Sequence, residues 1–306
     1  MTVQQRRFFY LVPALFLLLV PVSHGQQDFS QVVVTSRPVA GNVLMLEGSG
    51  GNIGLLLGDD GALMVDAQYA GLADKIRAAL GELGSGDPKL LINTHWHRDH
   101  TDGNRAFGPR VPILAHTRVR DRLAVDQHLL GRVVPALPAA ALPTITFDEK
   151  VTLHFGGEAV RVVHFPGGHT DGDAVVFFTG SRAVHMGDLM FAGRFPFVDL
   201  ESGGDVEGYA RNVAAVLEQL SDDTKVIPGH GPLSSVQDLR RFHRMMVESI
   251  DMVRGKMARG ATVEEIKSDG VAAEWRDWTW NFISTDRWLE TIHTSLARKQ
   301  SASTGR

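Results

Sequence analysis

The densest concentration of chemically capable side chains is Thr94-His95-Trp96-His97-Arg98-Asp99-His100, four imidazole or carboxylate groups within six residues. In extended backbone, side chains two apart point the same way, so His95, His97 and Asp99 converge on one side while the chain begins to turn at His100. Imidazole nitrogen and carboxylate oxygen suit Zn²⁺, and four ligands from one segment exceed what a single ion usually takes from it. Two ions are expected. Ordinary polar loops do not gather histidines at this spacing, because a lone histidine is normally satisfied by backbone or water. Three later positions can complete the set: His169 in Gly167-Gly168-His169-Thr170, Asp188 in Met186-Gly187-Asp188-Leu189 and His230 in Pro228-Gly229-His230-Gly231. Each is weak alone, and only the ordered set is specific.

Each of these positions follows an expected strand. Short apolar runs at Val32–Thr35, Val43–Glu47, Ile53–Leu57 and Ala62–Val65, separated by Gly-rich or Asp-Gly turns, read as strands. Helical spacing over Ala70–Leu83 precedes a strand Leu90–Asn93, and a strand Val111–Ala115 precedes a helix around Arg118–His128. Gly131–Pro143 is a Pro/Ala-rich connection, either a mobile flap or a plain loop. Strands return at Val151–Phe155, Val160–His164, Ala174–Phe178 and Ala183–Met186. Helices are expected at Gly208–Leu220 and Val236–Met257, with a buried strand Lys225–Ile227 between them. Thr262–Ser268 and Asp286–Ala297 are further helical stretches, followed by a frayed tail from Arg298.

The motif His95-Trp96-His97-Arg98-Asp99-His100, with His169, Asp188 and His230 in order behind it, resembles the H-x-H-x-D-H signature of the metallo-β-lactamase-fold hydrolase superfamily. The resemblance spans about residues 32 to 230. It implies an α/β fold, a four-layer αββα sandwich with the site at one edge of the paired sheets. It further implies that His95, His97 and His169 hold a first zinc ion, that Asp99, His100 and His230 hold a second, and that Asp188 bridges them. Di-iron, oxygen-reducing members generally carry a carboxylate where this chain has His97, which favours zinc hydrolysis. Many dedicated β-lactamases place a cysteine or another residue near the Asp188 position, so the carboxylate there resembles glyoxalase II, lactonase and esterase-like members instead.

Two Zn²⁺ ions with Asp99, Asp188 and one bridging hydroxide leave a net charge of +1, which favours an anionic intermediate and hence hydrolysis. A zinc-bound water can have its pKa lowered from about 15.7 to about 7. Asp99 has a second role open to it, orienting that hydroxide and passing its proton to the leaving group, beside the plainer role of ligand. Phe191, Phe195 and Phe197 follow Asp188 closely and read either as an apolar wall for a substrate or as ordinary core; Trp96 carries the same two readings. His116, His128, His164 and His185 are most economically structural or surface residues, and Arg161 and Arg194 read either as groups that attract a carboxylate or, more simply, as a solvated surface.

The 306 residues carry 31 Lys and Arg against 35 Asp and Glu, so no basic excess exists to neutralise a nucleic-acid backbone, and a small-molecule substrate is the expected partner. With no cysteine, disulfides, thiolate nucleophiles and Cys-ligated metals are excluded. Arg6 and Arg7 precede an apolar run, Phe8–Val20, too short to span a bilayer and followed by Ser23-His24-Gly25. Residues 1–25 are therefore expected to be a cleaved signal peptide, with an uncleaved anchor as the alternative, and 26–306 a single hydrolase domain with a helical extension from about 235. Cleavage leaves no stable membrane partner and an exported, periplasmic or secreted, protein. The leading expectation is a binuclear zinc hydrolase of an ester, lactone, thioester or amide. The alternatives are a β-lactamase using the same chemistry and a metal-binding relative without activity.

Overall fold

The computed structural model describes residues 27–304. The expected signal peptide, residues 1–25, lies outside the described residues. From Val32 onward the described residues form one compact unit, and both sheets of the fold lie within it.

The first sheet takes β1 (Thr35–Ala40), β2 (Val43–Glu47), β3 (Ile53–Gly58), β4 (Gly61–Val65), β5 (Leu90–Ile92), β6 (Ile113–His116) and β9 (Ile145–Phe147) in that spatial order. β7 (Gln127–Leu129) and β8 (Arg132–Val134) form a separate hairpin. The second sheet is β10 (Lys150–Phe155), β11 (Glu158–His164), β12 (Ala174–Phe178), β13 (Ala183–His185), β14 (Lys225–Ile227) and β15 (Ser234–Ser235). Strand alternation assigns the faces: Leu63 and Val65 of β4 share one buried cluster with Val160 and Val162 of β11 and Val176 and Phe178 of β12, which is the layer between the sheets.

The helices close the outer faces. α1 (Ala73–Glu82) is the crossover between the parallel neighbours β4 and β5, and must lie on the face that the second sheet leaves open. The short helices α2 (Arg98–Thr101), α3 (Asn104–Phe107) and α4 (Thr117–Leu123) come next along the chain. On the far side, α5 (Val206–Leu217), α6 (Val236–Ala258) and α8 (Thr285–Thr304) pack with Val175, Phe177 and Val184 of the second sheet into the largest buried cluster, and α7 (Val263–Asp269) packs against α8. The result is the expected four-layer αββα sandwich.

Four local expectations change. The first strand runs Thr35–Ala40 rather than over residues 32–35; it is an edge strand, where Pro38 is tolerated. The helix expected to reach His128 ends at Leu123, because Gln127 Nε2 donates to the Arg122 carbonyl and the Leu137 amide to that of Leu123. The connection after Gly131 holds β8, paired to β7 through Leu130 and Gly131, both at positive φ. Finally, α8 continues to Thr304, where fraying was expected from Arg298.

Topology already concentrates the chemistry. β4, β5, β6 and β9 run parallel, as do β13 and β14, and β11 shares the direction of β13 because both pair antiparallel to β12. The ligand-bearing loops follow the C-terminal ends of β5, β11, β13 and β14. The sheets are tied together there, since the Ala174 amide donates to the Thr94 carbonyl at 2.8 Å and the Asn52 amide to that of Gly229 at 2.7 Å.

Candidate metal centre

The strand ends bring all seven expected side chains together. Ligand atoms of His95, His97, His169 and Asp188 lie within 4.8 Å of one another, and those of Asp99, His100 and His230 form a second such group. Asp188 touches both. Its Oδ2 is 3.4 Å from His169 Nε2 and 3.8 Å from His95 Nε2, while its Oδ1 is 3.1 Å from His100 Nε2 and 3.4 Å from His230 Nε2. One carboxylate thus presents an oxygen to each group, the disposition a bridge requires.

Hydrogen bonds on the outer ring nitrogens fix where the lone pairs point. His169 Nδ1 donates to the Phe197 carbonyl at 2.8 Å, His97 Nε2 to Asp199 Oδ2 at 3.0 Å and His100 Nδ1 to Asp66 Oδ2 at 2.7 Å. His95 Nδ1 meets Thr94 Oγ1 at 3.0 Å; that hydroxyl gives its proton to Asp66 Oδ2, so it accepts from the imidazole. In the neutral rings, all four inner nitrogens are therefore bare. His169 Nε2 and His97 Nδ1 face each other at 2.8 Å, while His95 Nε2 and Asp188 Oδ1 are buried without a hydrogen bond. Converging lone pairs with no proton between them fit a cation, and the nitrogen and oxygen donors fit zinc.

Charge distribution agrees for His95 and His169, whereas His100 and His230 attract protons to the positions a cation would take. Burial, and then the neighbouring imidazoles, hold His95 well below the ordinary value; burial takes His169 down to about 4, so both rings are neutral. For Asp188 and Asp99, burial opposes ionisation, but the imidazoles around them hold both carboxyls below the usual range. Burial also opposes charge on His100 and His230; Asp188 and Asp99 overcome it and carry His100 well above its usual value and His230 to about 9.

The surrounding shell explains how the sequence holds this geometry. Asp66, fully buried at the end of β4, accepts from Thr94 N at 2.8 Å, Thr94 Oγ1 at 2.8 Å and His100 Nδ1, and keeps a left-handed backbone with φ of 64° to do so. Asn52 Nδ2 donates to the Pro228 and Gly231 carbonyls and clamps the His230 loop. At Gly51 a Cβ would lie 2.0 Å from the His100 ring, and at Gly229 one would lie 2.1 Å from Asp188 Oδ1, so both positions need glycine. Tyr209 on α5 donates to the Asp188 carbonyl, and Thr170 N and Oγ1 donate to Asp173, tightening the His169 turn. None of Asp66, Thr94, Asn52 and Asp199 stood out in the sequence. Of these only Asp66 carried a visible signal, an acid immediately beyond the apolar strand β4.

The centre opens into a cleft of about 870 Å³ lined by Asp99, Asp188, His97 and His230 together with Phe191 and Phe197. Two of the four expected wall residues are corrected to core. Trp96 is 1% exposed, does not line the cleft and packs with Ala115, Val119 and Leu123, its ring backing that of His97 at 4.6 Å. Phe195 is fully buried and stacks on Trp288 of α8 at 6.0 Å. In their place the C-terminal segment supplies Trp280 and Phe282 to the cleft, as the hairpin supplies Leu129, Leu130 and Val133. Arg194, expected on a solvated surface, lies at the cleft with its guanidinium 5.1 Å from the Trp280 ring. His185 is structural, as expected: its Nδ1 accepts from Gly187 N and its Nε2 donates to the Asn52 carbonyl.

Comparison with known proteins gives concordant likenesses. A hydroxyacylglutathione hydrolase from Gloeobacter violaceus is 29% identical over 60% of this chain, which spans 62% of that relative's length. A probable metallo-hydrolase from Methanocaldococcus jannaschii is 26% identical over 62% of the chain and 93% of its own length. Among solved structures, the DIM-1 metallo-beta-lactamase shares the fold with a TM-score of 0.58 at 19% identity, over 71% of this chain and 99% of that one. The inverting sec-alkylsulfatase Pisa1 from Pseudomonas sp. shares it at 0.66 and 16%, over 85% of this chain and 50% of that one. The family description "Metallo-beta-lactamase superfamily" matches residues 46–230, from β2 to the last of the seven clustered side chains. With the αββα sandwich and the bridged His/Asp centre, that match over more than half its length establishes that the chain belongs to the metallo-beta-lactamase superfamily of metallohydrolases.

Proposed function

We propose that this protein is an exported, binuclear zinc hydrolase that cleaves an acyl bond in an ester, lactone, thioester or amide. The observation that carries the reading is Asp188, with one carboxylate oxygen set against each histidine group. His95, His97 and His169 would hold one ion and Asp99, His100 and His230 the other, with Asp188 shared. Two such ions supply a water of lowered pKa and a Lewis acid for the scissile carbonyl.

The chain's own residues do the rest. Asp99 is the most exposed carboxylate of the centre, its side chain 25% accessible, with Oδ2 3.2 Å from His230 Nε2 and the cleft in front of it. From there it can orient an attacking water and pass a proton toward a leaving group. His97 and His169 are held from behind by Asp199 and the Phe197 carbonyl, so their rings need no reorganisation during turnover. The Gloeobacter violaceus relative, a hydroxyacylglutathione hydrolase, is by its name a hydrolase of an acyl compound as well.

A panel of aryl esters, lactones, thioesters and a chromogenic cephalosporin, assayed on zinc-loaded protein with metal content measured alongside, tests the proposal. Two zinc ions per chain and chelator-sensitive acyl hydrolysis are expected, with Asp99→Ala lowering kcat by about a hundredfold while the fold persists. Full zinc loading with no turnover across the panel, or unchanged turnover in Asp99→Ala, overturns it. Export is supported by Arg6, Arg7 and the apolar run behind them. It is tested by expressing the full chain and sequencing the N-terminus of the recovered protein, which is expected to begin near Gln26.

A further inference from the structure

The cleft has a composition that the metal centre does not explain. One side is the β7–β8 hairpin, which presents Leu129, Leu130 and Val133; the other is Phe191 with Trp280 and Phe282. Leu130, Val133 and Phe282 remain 49%, 56% and 38% exposed, three of the most exposed large apolar residues described, gathered at one opening. Such clustering on a free surface marks a place where something apolar binds.

The wall is built in advance. Trp280 Nε1 donates to the Phe195 carbonyl at 2.9 Å, and Trp280 N to that of Ile283 at 3.1 Å. Arg287 holds Phe282 from outside, its guanidinium 4.7 Å from the ring and donating to the Phe282 carbonyl. Both aromatic residues stand beyond residues 46–230, so this wall is an addition of this chain to the matched family core.

The charge at the opening is one-sided. Apart from Asp99 and Asp188 of the metal centre, the lining contains no acid, yet it contains Arg98, Arg132 and Arg194. Arg98 pairs with Asp102, whereas Arg132 and Arg194 make no ion pair among the described residues. In a chain of net charge −4, a cleft rimmed by cations concentrates anions.

We propose that the substrate is an anionic amphiphile: an acyl compound whose apolar chain or ring lies between the hairpin and the Trp280–Phe282 wall, and whose anionic group is read by Arg132 and Arg194. This rests on the hydrolase reading above and names its substrate class. Truncating the hairpin tip or the wall lowers affinity for the apolar part, and neutralising the arginines removes the preference for the anion.

The test compares two esters of equal chain length on zinc-loaded protein: the mono-4-nitrophenyl ester of suberic acid, which ends in a carboxylate, and neutral 4-nitrophenyl octanoate. Wild type is expected to favour the anionic ester in kcat/KM, and Arg132→Gln/Arg194→Gln to cut the anionic-to-neutral ratio by about tenfold or more, chiefly through KM. Arg161→Gln, a charge loss on β11 away from the cleft, is expected to leave the ratio alone. Phe282→Ala is expected to raise KM for both esters. A wild-type preference for the neutral ester, or a ratio untouched by the double variant, overturns the inference and leaves the hydrolase reading standing. If neither ester is cleaved by fully loaded protein, binding decides the inference, and the wider substrate panel decides the hydrolase reading. Octane-1-sulfonate should then bind at least tenfold more tightly than octan-1-ol, and lose that advantage in the double variant; equal binding of the two overturns it.

Discussion

Asp66→Asn replaces one buried oxygen by NH₂ and, on the hydrogen bonds described, should reverse the protons of two rings at once. In the native chain Asp66 only accepts: Oδ1 from Thr94 N, Oδ2 from Thr94 Oγ1 and His100 Nδ1. If the amide oxygen keeps the bond from Thr94 N, the new NH₂ faces Thr94 Oγ1 and His100 Nδ1. Thr94 must then turn its hydroxyl proton toward His95 Nδ1, and His100 must present a bare Nδ1. Both rings would carry their proton on Nε2, the atom aimed at the centre. The opposite amide orientation sets NH₂ against the Thr94 amide proton in a fully buried position, at a cost of about 1–3 kcal/mol. Asparagine tolerates the left-handed backbone at this position, so the fold should survive where alanine would add strain. Loss of such an outer partner typically weakens metal binding by about 10–100-fold, or about 1.4–2.7 kcal/mol. Here both ion positions depend on the same acid. Zinc affinity measured against a chromophoric chelator should fall for both ions in Asp66→Asn, whereas Thr94→Val should affect the His95 side alone. A folded Asp66→Asn protein with two ions bound at wild-type affinity would refute the proton assignment.

Metal removal should lower stability as well as activity: each ion present at about a hundredfold its Kd contributes about 2.7 kcal/mol, so a chelator should reduce Tm and added zinc restore it; an unchanged Tm would show that no ion is held. The wall and core assignments separate in stability, because Phe195→Ala opens a cavity under α8 at a cost of about 3–5 kcal/mol, whereas Phe197→Ala at the cleft should cost clearly less and act on KM; equal losses in chemical denaturation would contradict the placement. His116 and His164 stack at 3.7 Å between centroids, and burial keeps both below the ordinary imidazole value despite Asp148, Asp171 and the Asp173 carbonyl around them. The native state therefore binds fewer protons than the unfolded chain below about pH 6.5, and stability should fall as pH drops through that value and be level above it. The difference in denaturation midpoint between wild type and His116→Asn/His164→Gln, followed from pH 8 to pH 5, should show this slope in wild type alone; parallel curves would discount the stack.

Ligand positions were readable in the sequence because metal binding demands particular atoms, and strand-then-turn punctuation around His95, His169, Asp188 and His230 could be read from apolar runs and glycines. The sandwich was legible only through the resemblance that those ligand positions carry; the apolar runs marked strands such as Ala174–Phe178, buried along its whole length, without fixing how the layers stack. What escaped was set by contacts distant in the chain. Pro38 reads as a strand breaker unless its place at the sheet edge is known. Gln127 reads as helix until its side chain is seen closing the Arg122 carbonyl. Trp96 and Phe195 are as apolar as Phe191 and Phe197, and only the turn into α2 and the arrival of α8 separate core from wall.

Asp66 and Asp199 escaped for a further reason, which bears on how the centre is specified. Neither belongs to the seven clustered groups, and each reads in isolation as an acid in a loop. Yet an imidazole has two nitrogens, and a ligand is defined only once something outside claims the proton of one of them. Asp66 settles this for His100 directly and for His95 through Thr94, Asp199 settles it for His97, and the Phe197 carbonyl settles it for His169. His97 therefore presents Nδ1 where the other three present Nε2, a difference no spacing rule contains. Phe197 and Asp199 come from one short segment that also borders the cleft, with Phe197 itself in the lining. Changes there should consequently move metal affinity and substrate preference together, whereas changes at Trp280 or Phe282, which reach no ligand, should move substrate preference alone.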